Sequence, residues 1–369
     1  MARARELRGT DEQIVAVVGD GALTGGMCYE ALNDLSNTRT PLIVILNDNK
    51  MSISKNVGAV SEYLSFLRVG KGWTEAKRLI SGALLRVPLV GRALHRFFQS
   101  VKNGIRNVFV RDRFFRLFGM KYLGPFDGND IQGLECVLRR AKALDEPVVI
   151  HVVTQKGNGY PPAETHPEAF HGTTPFDVAT GRPLKACPPA NGVCAAQTLS
   201  EMARSDPRIV AVTAAMTGGT GLEAFRKEFP DRIFDVGIAE EHAVTLSAGL
   251  ASAGMRPFVA VYTTFMQRAY DQIVNDVCLQ NLPVCFLMDH YGVVGGDGAT
   301  HQGIFGLAYL RAVPNLTVLA PANTKELKQM LAYAITADSP AAILYPKDQA
   351  SDPETPAFEI GRWRTIRSG

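Results

Sequence analysis

Short apolar runs alternate with segments of helical spacing along two long stretches of the chain. In the first stretch, residues 14–18 and 42–46 are apolar and rich in β-branched side chains, which predicts two buried strands. Residues 25–32 between them have helical spacing, and residues 147–154 form a further apolar run after a segment whose apolar side chains share one helical face. Strands that alternate with helices predict an α/β fold with a parallel sheet.

The second stretch runs from residue 193 to about residue 346 and continues the same alternation. Six apolar runs separated by helical segments predict a second doubly wound parallel sheet. The six runs are residues 208–214, 233–237, 255–263, 282–289, 316–321 and 341–346. We therefore expect an α/β protein with two doubly wound parallel-sheet domains.

The segments outside these patterns predict the domain boundaries. Residues 161–192 are rich in Pro, Gly, Thr and Ala, which is typical of an extended and fairly stiff linker. We expect the first domain at residues 1–160, the second at residues 193–350, and a polar tail at residues 351–369.

Residues 61–122 interrupt the first domain with a basic, amphipathic and helical pattern. This pattern is typical of helices that pack over a site and act as a mobile lid, which is the interpretation we favour. A helix that lies on a membrane surface has the same pattern, so both interpretations stay open at this point.

Composition and charge exclude several classes of protein. The net charge of +3 is too small to indicate a nucleic-acid partner. The six cysteines form no CxxC pair, which is typical of reduced thiols in a cytoplasmic protein. No apolar run is long enough to span a membrane, and the first residues lack the apolar core of a signal peptide. Because a buried parallel strand needs neighbours on both sides and the first one begins so near Met1, we expect that the first domain has lost its beginning.

Polar side chains follow the two strands predicted near the start of the chain. Asp20 follows the first strand within Gly-Asp-Gly, and Asn49 follows the second, 29 residues later (49 − 20). Open α/β sheets bind ligands at these strand ends, and Mg²⁺ prefers carboxylate, amide and carbonyl oxygens. With a main-chain carbonyl near Met51, these side chains predict a magnesium site whose glycines let a diphosphate approach a helix start. A plain turn with a helix-capping Asp has the same local sequence, although the complete spacing resembles a thiamine diphosphate motif.

Reactive side chains also follow strands in the second stretch. Glu240 and Glu241 lie at a strand-to-helix turn, where acidic residues often serve only to complement the helix dipole. Thiamine diphosphate needs one partly buried carboxylate beside its aminopyrimidine ring, and we assign that role to Glu240, with Glu241 pointing away. Tyr262, Phe265 and Arg268 follow the next strand and offer a stacking ring and a cation; the alternative is a core ring and a surface charge.

A glycine-rich loop at residues 295–303 carries Asp297 and His301, four residues apart. Glycines at this density let the backbone approach a ligand closely. His301 is a candidate proton donor or oxyanion stabiliser.

These motifs, taken in order, resemble one known family. The motifs are GDGALTGGM, ILNDNKMSIS, YLGPFDGND, TQKGNGYPPAE, DVGIAEEHAVT, YTTFMQRAYDQ and GVVGGDGATHQG. The chain resembles the 1-deoxy-D-xylulose-5-phosphate synthases, thiamine-diphosphate-dependent transferases of the transketolase superfamily. The resemblance implies decarboxylation of pyruvate and condensation of the two-carbon unit with D-glyceraldehyde 3-phosphate, a step that feeds isoprenoid, thiamine and pyridoxal synthesis. It also implies thiamine diphosphate and Mg²⁺ as cofactors and a cytoplasmic homodimer.

The resemblance assigns a role to each matching residue. Those implied to hold Mg²⁺ are Asp20, Asn49 and the carbonyl of Met51. Those implied to bind the cofactor are Asp20, Gly21, Ala22, Asn49, Tyr160, Glu240 and Phe265. The implied catalytic residues are Glu240, His171 and His301, and those implied to bind substrate are Tyr262, Arg268, Asp297 and His301.

Several positions depart from the family's pattern. Glu241 stands where the family has Gln, and His290 stands where the family has an Arg that holds the substrate phosphate. Asn129 replaces a His, and Gly306 replaces an Asp. Arg binds a phosphate through two parallel hydrogen bonds. The imidazole of His290 cannot form that pair, so we expect a weaker contact with the substrate phosphate.

The family's amino-terminal segment and carboxyl-terminal domain have no counterpart in this sequence. Three interpretations follow: a deoxyxylulose phosphate synthase, a truncated and weakly active or inactive piece of one, and an enzyme of transketolase type. We expect little or no turnover from this polypeptide alone.

Overall fold

The computed structural model describes residues 1–51, 56–68, 113–185, 190–348 and 359. The described residues up to Gly159 form one compact unit, and those from Tyr160 onward form a second. Both units are built from parallel strands and helices, so the predicted α/β class with two parallel sheets is confirmed.

The first unit contains a sheet of four parallel strands among its described residues. In chain order these are β1 (Val15–Gly19), β2 (Ile43–Asp48), β3 (Lys121–Asp127) and β4 (Val148–Val153). Their order across the sheet is β1-β2-β4-β3. The described helices are Ala2–Arg8, Ala22–Thr24 (a 3₁₀ turn), Gly26–Thr38, Ala59–Arg68, Arg113–Leu117 and Ile131–Lys142.

Helices cover both faces of this sheet. On one face Leu46 and Val149 pack with Phe115 and Met120, and on the other Ile150 packs with neighbouring apolar side chains of β2 and β4. The central strands are accordingly apolar almost throughout, as buried parallel strands require. Local signals also agree with the helix bounds, because the Asp130 side chain accepts a hydrogen bond from the Gly133 N–H at the start of Ile131–Lys142.

The strand β3 lies where we expected the end of a helical segment. The sequence predicts a helical segment at residues 61–122, but β3 already begins at Lys121. The sequence signal was weak because Gly124 and Pro125 interrupt the strand, and proline fits only an edge strand such as this one. Most of the predicted lid, residues 69–112, lies outside the described residues.

The second unit contains a sheet of six parallel strands, and all six predicted runs are among them. The strands are β5 (Ile209–Thr213), β6 (Ile233–Asp235), β7 (Arg256–Tyr262), β8 (Cys285–Asp289), β9 (Thr317–Leu319) and β10 (Ala341–Leu344). Their order is β6-β5-β7-β8-β10-β9. The longer helices are Asn191–Ala203, Glu223–Glu228, Glu240–Ser252, the π-helix Ile273–Cys278 and Thr324–Thr336. Shorter helical segments are Pro161–Thr165, Pro230–Arg232, Thr263–Met266, Gln267–Ala269, Tyr270–Gln272, Ala299–His301 and Gly306–Leu310.

Two apolar clusters sandwich this second sheet. Val259 and Phe286 contribute to one cluster, and Phe258 and Leu287 contribute to the other, so consecutive residues of a strand face opposite sides. The predicted linker contains the Pro161–Thr165 helix and an antiparallel bridge between Phe176 and Pro183. Nearly all of the predicted tail lies outside the described residues. No helix in the described ranges has the length and apolar character needed to cross a membrane.

We expect Phe258→Ala to lower the free energy of unfolding by about 3–5 kcal/mol, because it removes a ring that is 1% exposed and leaves a cavity in the core. Urea unfolding followed by circular dichroism measures this change. The matched control is Phe305→Ala, whose ring is 58% exposed, and we expect it to change stability by less than about 1 kcal/mol. Equal losses in the two variants would contradict the assignment of Phe258 to the core.

Candidate functional site

The loops after β1 and β2 place Asp20 in a nest of main-chain donors. Its carboxylate accepts hydrogen bonds from the Gly21 N–H at 3.0 Å and from the Lys50 N–H at 2.7 Å. Asp20 itself is 4% exposed. The Ala22–Thr24 turn and the Gly26–Thr38 helix follow directly, so the start of a helix lies next to this carboxylate in the chain.

Two carboxyl groups meet at this end of the first sheet. Burial, and after it the neighbouring Asp48 carboxyl, raises the pKa of Asp20 to about 6. Asp48 is the last residue of β2, and its Oδ2 also lies 2.9 Å from Nε2 of His151 on β4. The other ring nitrogen of His151 lies 2.7 Å from the hydroxyl of Tyr122 on β3. A line of hydrogen-bonded polar groups therefore runs across the sheet from Asp48 through His151 to Tyr122.

The oxygens at this edge are of the kind that Mg²⁺ prefers. Besides the two carboxyl groups, the Asn49 Oδ1 is present and accepts a hydrogen bond from the Met51 N–H at 2.9 Å. Within the described residues, no cluster of three or more His, Cys, Asp or Glu side chains forms a metal site. A site made of one carboxylate, one amide oxygen and one main-chain carbonyl would not form such a cluster. The donor set therefore fits a hard cation that completes its coordination with ligand oxygens.

In the second unit, Glu240 is buried at the first turn of the Glu240–Ser252 helix. It is 3% exposed, and its Oε2 lies 3.1 Å from a guanidinium nitrogen of Arg268. Burial raises the pKa of Glu240, while Arg268 opposes that shift. We expected Glu241 to point away, but its Oε1 lies 3.3 Å from the other terminal nitrogen of Arg268, so one guanidinium joins the two glutamates.

The turn that leads into Glu240 is held by Asp235. This carboxylate accepts hydrogen bonds from the Ala215 N–H at 2.9 Å and the Gly237 N–H at 3.1 Å. It also accepts a hydrogen bond from Thr217 and pairs with Arg226. Because it binds backbone of both strand-end loops, Asp235 fixes the position from which Glu240 starts its helix.

Four rings form a cluster after β7 and β8. The Tyr262 ring stacks on His290 with centroids 3.8 Å apart and on Phe265 at 5.7 Å. His301 meets the Phe265 ring edge-on at 5.2 Å. The structure thus brings His301 of the glycine-rich loop together with Tyr262 and Phe265, which sequence analysis placed after a different strand.

Asp297 lies between Lys347 and His290 beside this ring cluster. Its Oδ2 is 2.9 Å from Nζ of Lys347 and 3.6 Å from Nε2 of His290. Burial alone would raise the pKa of Asp297, but Lys347, His290 and His301 outweigh it and lower the pKa. His290 also contacts Asp289 through Nδ1 at 3.0 Å and is 3% exposed.

The glycine-rich loop that carries Asp297 and His301 is closed by Gln302. The Gln302 side chain accepts from the Val294 N–H at 2.9 Å and donates to the Val294 carbonyl at 2.7 Å. A further bond to the Gly298 carbonyl at 3.1 Å closes the loop around His301, whose Nδ1 contacts the Thr300 hydroxyl at 3.0 Å.

The remaining predicted residues lie in more ordinary surroundings. The Tyr160 hydroxyl donates to the Val178 carbonyl at 2.8 Å, and its ring packs edge-on against Phe170. His171 is exposed, Gly21 is buried, and Ala22 is exposed. No observed contact assigns these four residues a role, and their assignments stay predictions.

Several residues of these networks escaped the sequence analysis, among them Asp48, His151 and Lys347. Asp48 stood beside Asn49 in the motif, and His151 stood alone inside the apolar run 148–153. The signal that could have identified His151 is a titratable side chain within an otherwise apolar strand. Lys347 follows β10, so its position after a strand was the corresponding signal.

Comparison with known proteins identifies the two parts of the chain. Residues 1–154 match the family model of 1-deoxy-D-xylulose-5-phosphate synthase, and residues 189–352 match that of the transketolase pyrimidine binding domain. The 1-deoxy-D-xylulose-5-phosphate synthase of Clostridium tetani is 48% identical over 99% of this chain and 60% of its own length. That of Clostridium kluyveri is 49% identical over 99% of this chain and 59% of its own length. The resemblance inferred from the motifs is thereby confirmed, and the chain spans about 60% of the length of these relatives.

A solved transketolase from Campylobacter jejuni also aligns with the chain. It covers 95% of this chain and 60% of its own, with 19% sequence identity and a TM-score of 0.42.

We expect Arg268→Met to destabilise the protein more as pH rises. The pKa of Glu240 in the folded state lies above its usual 4.5, so the stability that Glu240 contributes is fully present below pH 4.5 and is lost as pH rises through the folded-state pKa. Removal of Arg268 raises that pKa further. The difference in unfolding free energy between wild type and variant should therefore grow from pH 4.5 to pH 8, reaching the order of 1 kcal/mol.

Denaturant unfolding at a series of pH values measures this difference. The control is the same change in a Glu240→Gln background, where the Glu240 contribution is absent and the difference should not depend on its titration. A pH-independent effect of Arg268→Met in the wild-type background would show that the Arg268–Glu240 pair does not matter to Glu240 ionisation.

Proposed function

We propose, from the premise that this chain belongs to the 1-deoxy-D-xylulose-5-phosphate synthase family, that it decarboxylates pyruvate and condenses the two-carbon unit with D-glyceraldehyde 3-phosphate. The products are 1-deoxy-D-xylulose 5-phosphate and CO₂. The observation that carries this proposal is the buried Glu240 carboxyl at a helix start, paired with Arg268, in the part that matches a pyrimidine-binding domain. Thiamine diphosphate, when bound, supplies the chemistry that cleaves the bond beside the keto carbon of pyruvate.

Residues of the first unit would hold the charged end of that cofactor. We assign Asp20, Asn49 and the Met51 carbonyl to Mg²⁺, because they offer hard oxygens at the end of a parallel sheet. Gly21 and Ala22 would line the cofactor, as would Tyr160 at the start of the second unit, and the Gly26–Thr38 helix start favours a phosphate group. The Lys50 and Gly21 N–H groups hold the Asp20 carboxylate in place before any ligand arrives.

Residues of the second unit would hold the pyrimidine ring and the substrates. The buried Glu240 carboxyl would bond the ring nitrogen, since a carboxyl shielded from water makes a stronger hydrogen bond than an exposed one. Phe265 would stack on the ring. His171 and His301 would move protons at the reacting carbon. Tyr262, Arg268, Asp297 and His301 would bind the aldehyde substrate.

The His290 substitution affects the last of these roles. Its two ring nitrogens lie beside the carboxylates of Asp289 and Asp297, so the ring is committed to acidic partners within the protein. We infer that His290 contributes less to phosphate binding than an arginine with five donors would. Binding of Mg²⁺, assembly as a homodimer and a cytoplasmic location are further parts of the proposal that rest on the resemblance.

We expect thiamine diphosphate to bind in a Mg²⁺-dependent manner and Asp20→Asn to weaken that binding at least about tenfold, because the substitution removes the charged ligand. Isothermal titration calorimetry with and without Mg²⁺ measures the affinity. Asp34→Asn is the control, since Asp34 is 63% exposed and pairs with Arg3 on the surface. Unchanged affinity in Asp20→Asn would refute the metal assignment.

We expect CO₂ release from pyruvate by this polypeptide to be weak and to depend on glyceraldehyde 3-phosphate, and Glu240→Gln to reduce it by about 10²–10⁴-fold, because a neutral amide cannot exchange the proton. The assay follows CO₂ and the phosphorylated product by mass spectrometry. Glu201→Gln, an exposed glutamate on the Asn191–Ala203 helix, is the control.

Other outcomes of this assay separate the alternatives. Cofactor binding without product from any donor would indicate a non-catalytic binding protein. Product formed from a ketose phosphate donor and none from pyruvate would indicate ketol transfer of the transketolase type.

A further inference from the structure

A row of polar side chains crosses the sheet of the first unit, which is otherwise apolar inside. Each of the four strands supplies one member, in the order in which the strands lie side by side. Asp20 follows β1, Asp48 ends β2, His151 lies within β4, and Tyr122 lies near the start of β3.

The strand register puts the inner members of the row on one face. His151 pairs with Leu46, two residues before Asp48, and Tyr122 pairs with Val149, two residues before His151. Side chains two residues apart on a strand point to the same face of the sheet. The hydrogen-bond distances of 2.9 Å from Asp48 to His151 and 2.7 Å from His151 to Tyr122 agree with that arrangement.

Burial of these polar side chains destabilises the folded state unless each of them has a hydrogen-bond partner. Asp48 and His151 are both 0% exposed. An ionisable group taken out of water is destabilising unless hydrogen bonds compensate, so a buried carboxyl and imidazole restrain each other strongly. Hydrogen bonds to both ring nitrogens fix the orientation of the His151 ring, and the ring then fixes the Asp48 carboxyl.

The effect of this restraint reaches Asp20 through the residues that flank Asp48 in the chain. The Asp20 N–H donates to the Asn47 carbonyl at 3.0 Å, and the Lys50 N–H donates to the Asp20 carboxylate at 2.7 Å. Side chains behind a metal ligand commonly set the ligand's orientation, and their loss weakens metal binding by about 10–100-fold. We propose that His151, oriented by Tyr122, is a positioning residue: it holds Asp48, and with it the end of β2 that binds Asp20 and leads into Asn49, and so fixes the geometry of the magnesium site. The inference rests on the proposed function, because it takes Asp20 as the metal ligand.

Two substitutions at position 151 separate the contacts of the ring. In His151→Gln the amide reaches the place of Nε2 and keeps the bond to Asp48. In His151→Asn the amide reaches only the place of Nδ1, so the contact with Tyr122 remains and the one with Asp48 is lost. We expect the Kd for Mg²⁺, measured calorimetrically with thiamine diphosphate present, to rise about tenfold in His151→Asn. His151→Gln should stay within about threefold of wild type.

A third variant covers the case in which substitutions of the buried imidazole prevent folding. Tyr122→Phe removes one hydroxyl, keeps the ring that stacks on Phe115, and should weaken Mg²⁺ binding about threefold. Tyr309→Phe is its control, because that half-buried hydroxyl bonds the Thr263 carbonyl in the second unit. Tyr309→Phe should bind Mg²⁺ like wild type.

The outcomes distinguish this inference from the proposed function. Wild-type Mg²⁺ affinity in His151→Asn or in Tyr122→Phe overturns the inference and leaves the proposed function standing. Equal weakening in His151→Asn and His151→Gln, with equal loss of thermal stability, also overturns it, because the row is then only a structural element. Failure of the wild-type protein to bind the cofactor with Mg²⁺ overturns the proposed function and this inference together.

Discussion

The parallel direction of all strands in each sheet is the constraint on which the candidate site depends. A buried parallel strand carries apolar side chains along most of its length, so polar side chains are found mainly where the strands end. In the first unit this rule places Asp20 and Asp48 side by side after β1 and at the end of β2. In the second it places Asp235 at the end of β6 and Asp289 at the end of β8.

In the second unit, the surroundings of Glu240 and Asp297 shift the pKa values of these two carboxyl groups in opposite directions. Burial dominates at Glu240, whose single guanidinium partner is shared with Glu241, and the pKa rises. At Asp297, Lys347 and His290 approach the same oxygen, and together with His301 they outweigh burial, so the pKa falls. One unit thus offers a carboxyl that retains a proton more readily and another that stays ionised, which is the division that acid–base chemistry and charge recognition require.

The strands and the polar residues that follow them could be predicted from the sequence, because apolar runs and short motifs are local patterns. Periodicity located all six strands of the second sheet, and the motif spacing located Asp20, Glu240 and Asp297. It did not predict β3, where Gly124 and Pro125 weaken the strand pattern.

The pairings between distant residues also escaped prediction. The contact between Asp48 and His151 joins residues 103 positions apart, and that of Lys347 with Asp297 spans 50. Such contacts depend on strand order, which a single sequence does not determine. The role of Arg268 shows the same limit, since its cationic character was evident but its choice of two glutamate partners was not.

The closure of the glycine-rich loop has a consequence for engineering. The Gln302 side chain forms two hydrogen bonds with the backbone of Val294, and both residues lie within residues 292–303. Asp297 is instead held by a hydrogen bond from Lys347, which follows a strand 50 residues further along the chain. A transplant of residues 292–303 into another scaffold would keep the hydrogen bonds of Gln302 but lose the contact of Asp297 with Lys347. Such a graft would keep its shape near His301 and lose it near Asp297, unless the recipient already presents a lysine at the corresponding strand end.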